Sequence, residues 1–362
     1  MAVTLADVAA RAGVSSATVS RVLNGNYPVA GSTKDRVQRA VEELDYVVNG
    51  QARALAAATS DLIGVLVNDV ADPFFGLIAS ALQGEIGAGG TQPGGGKLAV
   101  VCNTGGSPEA ELTYLTLLER QRAAGVVLTG STVESKAHTA AVTARLTRLA
   151  ASGTRIVLCG RPPLEQAEDS LGLITIAFDN RGGARRLTEH LLSLGHRRIG
   201  YVAGPAERST TRHRLEGHRE ALLAAGLGPD TRAGANALRL TVHGGYDRAS
   251  GYDATLELLR RDTGVTAIVA ANDTVALGVC AALRDSGLRI PGDVSVAGFD
   301  DLPFSVDASP ALTTVRIPLQ DAGARAGRLV MGRQAPPPGG VATVATELMV
   351  RGSTAPPSPG RR

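Results

Sequence analysis

Seven side chains stand close behind short apolar runs and share one kind of chemistry: Phe74, Arg161, Arg208, Thr210, Arg214, Asn272 and Asp300. A guanidinium and a carboxylate can each engage two neighbouring hydroxyls of a polyhydroxylated ring, and an aromatic face covers the ring's apolar side. The set suits a sugar. Arg, Thr and Phe together also suit a purine, so both ligands stay open at this point. Each of the seven can equally serve as a helix cap or an ion-pair partner. Phe75 is expected in the core, leaving Phe74 for the site, and Asp273 and Asp301 are expected to cap helices.

Patterns for catalysis are missing. There is no GxSxG elbow. The segment 87–97, GAGGTQPGGGK, has a lysine behind glycines, but it leaves a helix and enters a strand. Leu98 stands where a phosphate loop needs Ser or Thr for magnesium, so a flexible surface loop is expected. The six histidines show no HxxxH spacing, and Cys102, Cys159 and Cys280 lie far apart in apolar runs. Buried reduced thiols are expected, with no metal and no cofactor.

The elements that must position the seven residues alternate regularly. Apolar strand candidates lie at 62–67, 98–103, 125–130, 155–160, 173–179, 198–204, 238–242, 267–273 and 294–300. Helical stretches at 74–87, 108–124, 181–194, 212–225, 246–261 and 273–285 fall between them. Near-continuous apolar strands alternating with helices indicate parallel sheets covered on both faces. The spacing reads as two successive doubly wound lobes in an α/β body. Ligands on such sheets sit beyond the carboxyl ends of the strands, where the seven residues fall.

The first 46 residues follow a different period. Thr4 with Asp7 reads as a capping box, with Leu5, Val8 and Ala9 along one helical face. Gly13 ends that helix, and Ser15 or Ser16 opens a second one whose inward stripe is Val19, Val22 and Leu23. A third helix runs from about 32 to 44. Two short helices joined by a tight turn containing Gly form a helix-turn-helix pattern. The second helix exposes Ser16, Ala17, Thr18, Ser20 and Arg21. Short side chains let such a helix sink into a major groove, where hydroxyls reach phosphates or base edges. Charge does not make the case: residues 1–58 hold six Lys/Arg against five acids.

The segments VTLADVAARAGVSSATVSRVLNGNYPV (3–29) and RVQRAVEELDYVVNGQARALA (36–56) resemble the start of a LacI/GalR-family transcription factor. The likeness continues with few gaps through the chain. It implies a periplasmic-binding-protein-like sensor behind the helix-turn-helix head. By this resemblance Thr4, Ser15, Thr18, Ser20, Asn24 and Tyr46 are expected on phosphates, and Ser16, Ala17 and Arg21 near base edges. Family members usually carry Ser where Ala30 stands, so one phosphate contact is expected to be lost. Residues 47–60 are implied to form a hinge helix that folds on operator DNA and presses Leu55, with Ala52 beside it, into the minor groove. Arg214, Asn272 and Asp300 match effector-binding positions.

The expected organisation is a head (1–46), a hinge and linker (47–60), a two-lobed effector-binding and dimerisation body (61–352) and a disordered tail (353–362). Within the body, the amino lobe is expected at about 61–177 and 307–331, and the carboxyl lobe at about 178–306 and 332–352. The expected partners are operator DNA, a small-molecule effector such as a sugar, and a second copy of the chain. A dimer is expected because one such head buries too little DNA surface, and palindromic half-sites need two-fold symmetry. No apolar stretch approaches the ~18 residues of a membrane span. The amino terminus lacks the apolar core of a signal peptide, so a cytoplasmic location is expected and no membrane partner. A solute-binding protein or an enzyme would share the body. The first is disfavoured by the extra head and missing leader, the second by the lack of a nucleophile–base pair.

Overall fold

A computed structural model describes residues 3–24, 28–46, 60–88, 96–164, 172–228, 240–261 and 264–358. The hinge expectation, with Ala52 and Leu55, lies outside the described residues, as do the side chain of Asn24 and most of the Gly-rich segment.

Three helices make the head: α1 (Leu5–Ala12), α2 (Ser16–Asn24) and α3 (Gly31–Glu43). The expected capping box opens α1, with Asp7 N donating to Thr4 Oγ1 and Thr4 N to Asp7 Oδ2. Gly13 closes it in the left-handed region at φ 63°. Such a conformation carries little steric cost for glycine and ends the helix sharply. Val8, Val19, Val37 and Ala40 are buried between the three helices, and Arg11 ties α1 to Glu43 of α3 at 2.5 Å.

The body begins with β1 (Leu62–Val67) and α4 (Pro73–Gly87), and continues with β2 (Leu98–Asn103), α5 (Pro108–Arg120), β3 (Gly125–Thr129), α6 (Lys136–Ala151), β4 (Arg155–Cys159) and β5 (Ile174–Phe178). The chain then crosses and builds α7 (Asn180–Ser193), β6 (Ile199–Ala203), α8 (Ser209–Ala224), β7 (Thr241–His243), α9 (Arg248–Arg260), β8 (Ala267–Ala270), α10 (Asp273–Asp285) and β9 (Ser295–Ala297). Last come β10 (Thr314–Arg316), α11 (Leu319–Val330), β11 (Val341–Val344) and β12 (Glu347–Met349). The amino-lobe sheet has the order β11-β5-β4-β3-β1-β2 and the carboxyl-lobe sheet β7-β6-β8-β9, each parallel throughout. This is the doubly wound pair that the strand–helix alternation indicates. The helix at Lys136–Ala151 was not among the expected ones.

The later crossings differ from expectation. The first falls after Phe178, where β5 ends and the chain passes on to α7 and β6. The return comes only after Arg316, because β10 pairs antiparallel with β12 and residues 297 and 300 bridge to 313 and 316, which keeps 307–316 in the carboxyl lobe. Strand β11 joins the amino-lobe sheet beside β5, so 341–344 belong there rather than to the carboxyl lobe. Edge pairing decides both points, and strands of three or four residues carry too little periodicity to show it.

The tail also differs. Ser353, expected as disordered, is buried; its Oγ donates to Val296 O at 2.6 Å and accepts from Thr313 N. Ala355 continues the contact, donating to Ser295 Oγ and accepting from His196 Nε2 at 2.9 Å. Pro356 and Pro357 follow. Prolines restrict the unfolded chain, so laying an extended segment along β9 costs less conformational entropy than its polar composition suggests.

Candidate functional site

All nine strands from β1 to β9 end at one cavity of about 440 Å³ between the lobes. Asn68 and Asp69 follow β1, Gly105 and Gly106 follow β2, Gly130 and Ser131 follow β3, and Gly160 follows β4. From the other lobe come Arg208 and Thr210 after β6, Tyr246 after β7, Asn272 after β8 and Asp300 after β9. Backbone forms much of the amino-lobe wall. Gly130 and Gly160 sit at φ 74° and 81°, and a Cβ there would lie 2.6 Å from the Phe75 ring and 2.7 Å from that of Phe178. Only glycine gives both the conformation and the room.

Arg214 organises the opposite wall. It is buried, and its planar fork meets three acceptors: Nε donates to Asn180 Oδ1 at 2.8 Å, Nη1 to Ala271 O at 2.6 Å and Nη2 to Asp300 Oδ1 at 2.7 Å. The guanidinium also stacks over the Phe299 ring, 3.7 Å from its centroid. Asp300 stands at φ 106°, an unusual conformation for a residue with a Cβ, followed by Asp301 at φ 54°. Burial pushes the Asp300 carboxyl up to about 7 against the pull of Arg214, with the nearby Asp72 adding to the rise. Burial also raises Asp72, whose Oδ1 caps α4 by accepting from Phe74 N at 2.9 Å.

An aromatic corner faces these charges. Phe74 packs edge-on against Phe75 with centroids 4.9 Å apart and against Phe178 at 6.4 Å. Tyr246 shares a 2.6 Å hydrogen bond with Thr211. Six of the seven sequence candidates therefore gather here: Phe74, Arg208, Thr210, Arg214, Asn272 and Asp300. Arg161 does not line the cavity. It is buried in the amino lobe with Nη1 and Nη2 on the two carboxylate oxygens of Glu111, at 3.0 and 2.5 Å.

Three assignments next to the site change. Phe75 lines the cavity as well as the core. Asn272 is the cap of α10, accepting from Val275 N at 2.8 Å, while Asp273 is buried and accepts from Leu302 N and Thr314 Oγ1. Asp301 pairs with Arg316 and Arg351 at 2.7 Å and caps no helix. Phe178, Asn180 and Tyr246 were not singled out as site residues; Phe178 is the last residue of β5, and Asn180 and Tyr246 follow β5 and β7, so a strict reading of strand ends would have found them. Among the described residues no cluster of three or more potential metal ligands gathers.

In the head, Ser16, Ala17 and Arg21 are exposed, and Ser20 is half-buried. The spacing of 16 with 20 and 17 with 21 puts the four on one face of α2. Ser15 caps α2, accepting from Thr18 N at 3.2 Å, and its hydroxyl lies 2.9 Å from that of Thr18. Thr4 donates its hydroxyl to Asp7 Oδ2 at 2.7 Å, and Tyr46 packs against the head's core. Ala30 stands at the start of α3 with no side-chain cap.

Known proteins agree with this division. Residues 4–49 match the family model for bacterial regulatory proteins of the lacI family, and 188–354 match a periplasmic binding protein-like domain. The regulator GalR of Escherichia coli is 34% identical over 91% of this chain and 88% of its own length. The regulator MalR of Streptomyces coelicolor is 36% identical over 100% of this chain and 99% of its own. Among solved structures, the lac repressor dimer bound to operator and the anti-inducer ONPF aligns with a TM-score of 0.75 and 29% identity, covering 98% of this chain and all of that one. The complex of the regulator CelR with cellobiose aligns at 0.65 with 32% identity, covering 97% of this chain and all of that one. With a reading helix at one end, a two-lobed cavity at the other and relatives matched over nearly their whole length, the chain belongs to the LacI family of DNA-binding transcriptional regulators.

Proposed function

We propose that the chain is a repressor of carbohydrate uptake or catabolism genes whose hold on a palindromic operator is governed by a sugar in the inter-lobe cavity. The observation that supports this best is the meeting of Arg214, Asn272 and Asp300 with an aromatic corner at the ends of nine strands. Hydroxyls find acceptors and donors there, and ring faces find Phe74 and Tyr246. Arg208 and Thr210 complete the contacts, and Arg161 takes no direct part. A relative solved with cellobiose supports a sugar over a purine.

In the head, Ser16, Ala17 and Arg21 read base edges, while Thr4, Ser15, Thr18, Ser20, Asn24 and Tyr46 position it on phosphates. Leu55, with Ala52, enters the minor groove. Two copies act together, joined in part through β2. That strand is an outer edge of its sheet, and Leu98 and Val100 on it are 64% and 37% exposed. An apolar open edge of this kind needs a cover. No helix among the described residues is long and apolar enough to cross a membrane, which fits a protein working beside DNA in the cytoplasm.

The test is a thermal-shift screen of the purified chain against sugars and purines, followed by operator binding with each hit. A sugar that shifts the melting temperature and changes affinity for a palindrome near its own gene is the expected result. A response to purines alone, or no preference for any such site, would sink the proposal.

A further inference from the structure

We infer that the effector is an uncharged sugar of about two rings, and that carboxylates in the cavity wall reject phosphorylated and acidic sugars. The inference rests on the reading of this cavity as the sugar site. Four aspartates and two arginines line it; Asp300 and Arg214 answer each other, which sets Asp69, Asp72 and Asp247 against the one guanidinium of Arg208. One guanidinium is already engaged: Arg214 spends its fork on Asn180, Ala271 O and Asp300. Arg208 gives one N–H to Gly106 O across the lobes, and among the described residues is the one cavity cation whose charge no carboxylate in the wall already offsets. A phosphate brings roughly 1.5 to 2 negative charges at neutral pH and calls for unspent donors.

Helix amino termini around the cavity would ordinarily welcome an anion. Three of them carry their own acids or caps. Asp72 caps α4, Asp247 caps α9 through Ser250 N at 2.8 Å, and Asn272 caps α10 with Asp273 in its first turn. Helix α8 opens at Arg208 without a side-chain cap, but its first N–H, that of Ser209, goes to Thr132 O in the amino lobe. A neutral polyol meets none of this opposition. Its hydroxyls can donate to Asp72 and Asp300, and its ring faces lie against aromatic carbon.

Volume sets the size. At about 30 Å³ per water, the cavity holds the equivalent of about fifteen waters. One hexose fills about half of such a space and two linked rings most of it, consistent with the depth of burial small-ligand sites achieve.

The test is isothermal titration of the full chain with cellobiose, maltose, trehalose and sucrose, then glucose, glucose 6-phosphate, trehalose 6-phosphate and adenine. A neutral disaccharide is expected to bind about tenfold or more tighter than glucose, and phosphorylated sugars about 100-fold weaker than their neutral forms. Asp72→Asn keeps an amide able to cap α4 while removing one charge, and should narrow the gap between neutral and phosphorylated sugar about threefold or more. Tighter binding of a sugar phosphate, or an Asp72→Asn protein with an unchanged melt and an unchanged gap, overturns the inference and leaves the sugar reading standing. Binding of adenine with no sugar bound removes the sugar reading itself, and the inference with it.

Discussion

Arg212 of the carboxyl lobe holds Glu134 of the amino lobe in a two-pronged grip, Nε reaching Oε2 and Nη2 reaching Oε1, both at 2.8 Å. Beside this pair residues 132–134 and 207–209 run as a short antiparallel contact. Glu134 N donates to Glu207 O at 2.8 Å, Ser209 N to Thr132 O at 3.0 Å, and Thr132 N to Ser209 Oγ at 3.1 Å. The same stretch presents Arg208 and Thr210 to the cavity. The contact between the lobes and the lining of the cavity are therefore built on one segment, and Arg208 takes part in both.

Breaking this grip should weaken effector binding more than it weakens the fold. Arg212 and Glu134 are partly exposed, and pairs of that kind contribute at most about 1 kcal/mol to stability. A bias of the same size against the closed lobes lowers apparent affinity several-fold, because only the closed fraction binds well. Glu134→Gln should raise the effector Kd about two- to fivefold with the melting temperature nearly unchanged. Titration calorimetry beside a thermal melt checks this. A lowered melt with an unaltered Kd would mark the pair as structural only.

Arg214 carries the larger stake. Removing it strands Asp300, Asn180 and the Ala271 carbonyl in a buried place, and loss of one member of a buried ion pair costs about 3–5 kcal/mol. Arg214→Met should lose that much in urea denaturation and bind no effector. Arg214→Lys keeps the charge, but an ammonium cannot reproduce the planar three-acceptor geometry, so effector binding should still fall by about tenfold or more. Undiminished binding by the Lys variant would show that the fork is dispensable.

Asp300 gives the protein a pH dependence whose sign can be worked out. Its carboxyl sits at about 7 in the folded chain and at its ordinary value of 3.8 when unfolded. Between those values the folded state keeps a proton that the unfolded chain has released. Stability from this group is therefore present at low pH and lost as pH rises toward 7, at up to about 1.4 kcal/mol per pH unit. Asp300→Asn lacks this titration. Comparing unfolding free energies at pH 5 and pH 7.5 should show the wild type losing about 2–3 kcal/mol relative to the variant. Equal differences at both values would mean that Asp300 stays ionised throughout.

The parts of this architecture legible in the sequence are those set by local rules. Thr4 with Asp7, and Gly13, fix the ends of α1 within a few residues of themselves. Six cavity residues could be found because every parallel strand delivers its carboxyl end to the same place. Arg161 obeyed the same positional rule and still turned away, since its partner Glu111 lies fifty residues earlier on α5. Nothing local records such a pairing. That Asn272 and not Asp273 caps α10 has a similar origin. Adjacent polar residues differ only in where the helix begins, and the buried partners of Asp273, Leu302 N and Thr314, come from distant chain. Strand β10 reads as loop because three residues beside prolines show no alternation.

The two ends of the molecule should separate cleanly by mutation. Arg21 is the long side chain on the exposed face of α2, and a base-edge contact from it is worth about 1–3 kcal/mol of discrimination. Arg21→Ala should reduce preference for operator over random duplex by that amount while leaving the salt dependence of binding unchanged. A contact to phosphate behaves differently: it lowers affinity for all sequences alike and reduces the slope of log K against log salt by about 0.9. Fluorescence anisotropy on operator and scrambled duplexes at several salt concentrations distinguishes the two, and a changed slope with unchanged preference would move Arg21 to the phosphate set. Leu55→Ala provides the matching test of the hinge. It should weaken operator binding and leave the calorimetric sugar isotherm as it is, because a leucine wedged in the minor groove bends DNA without touching the cavity. Equal loss of both activities in that variant would indicate misfolding and not the loss of a wedge.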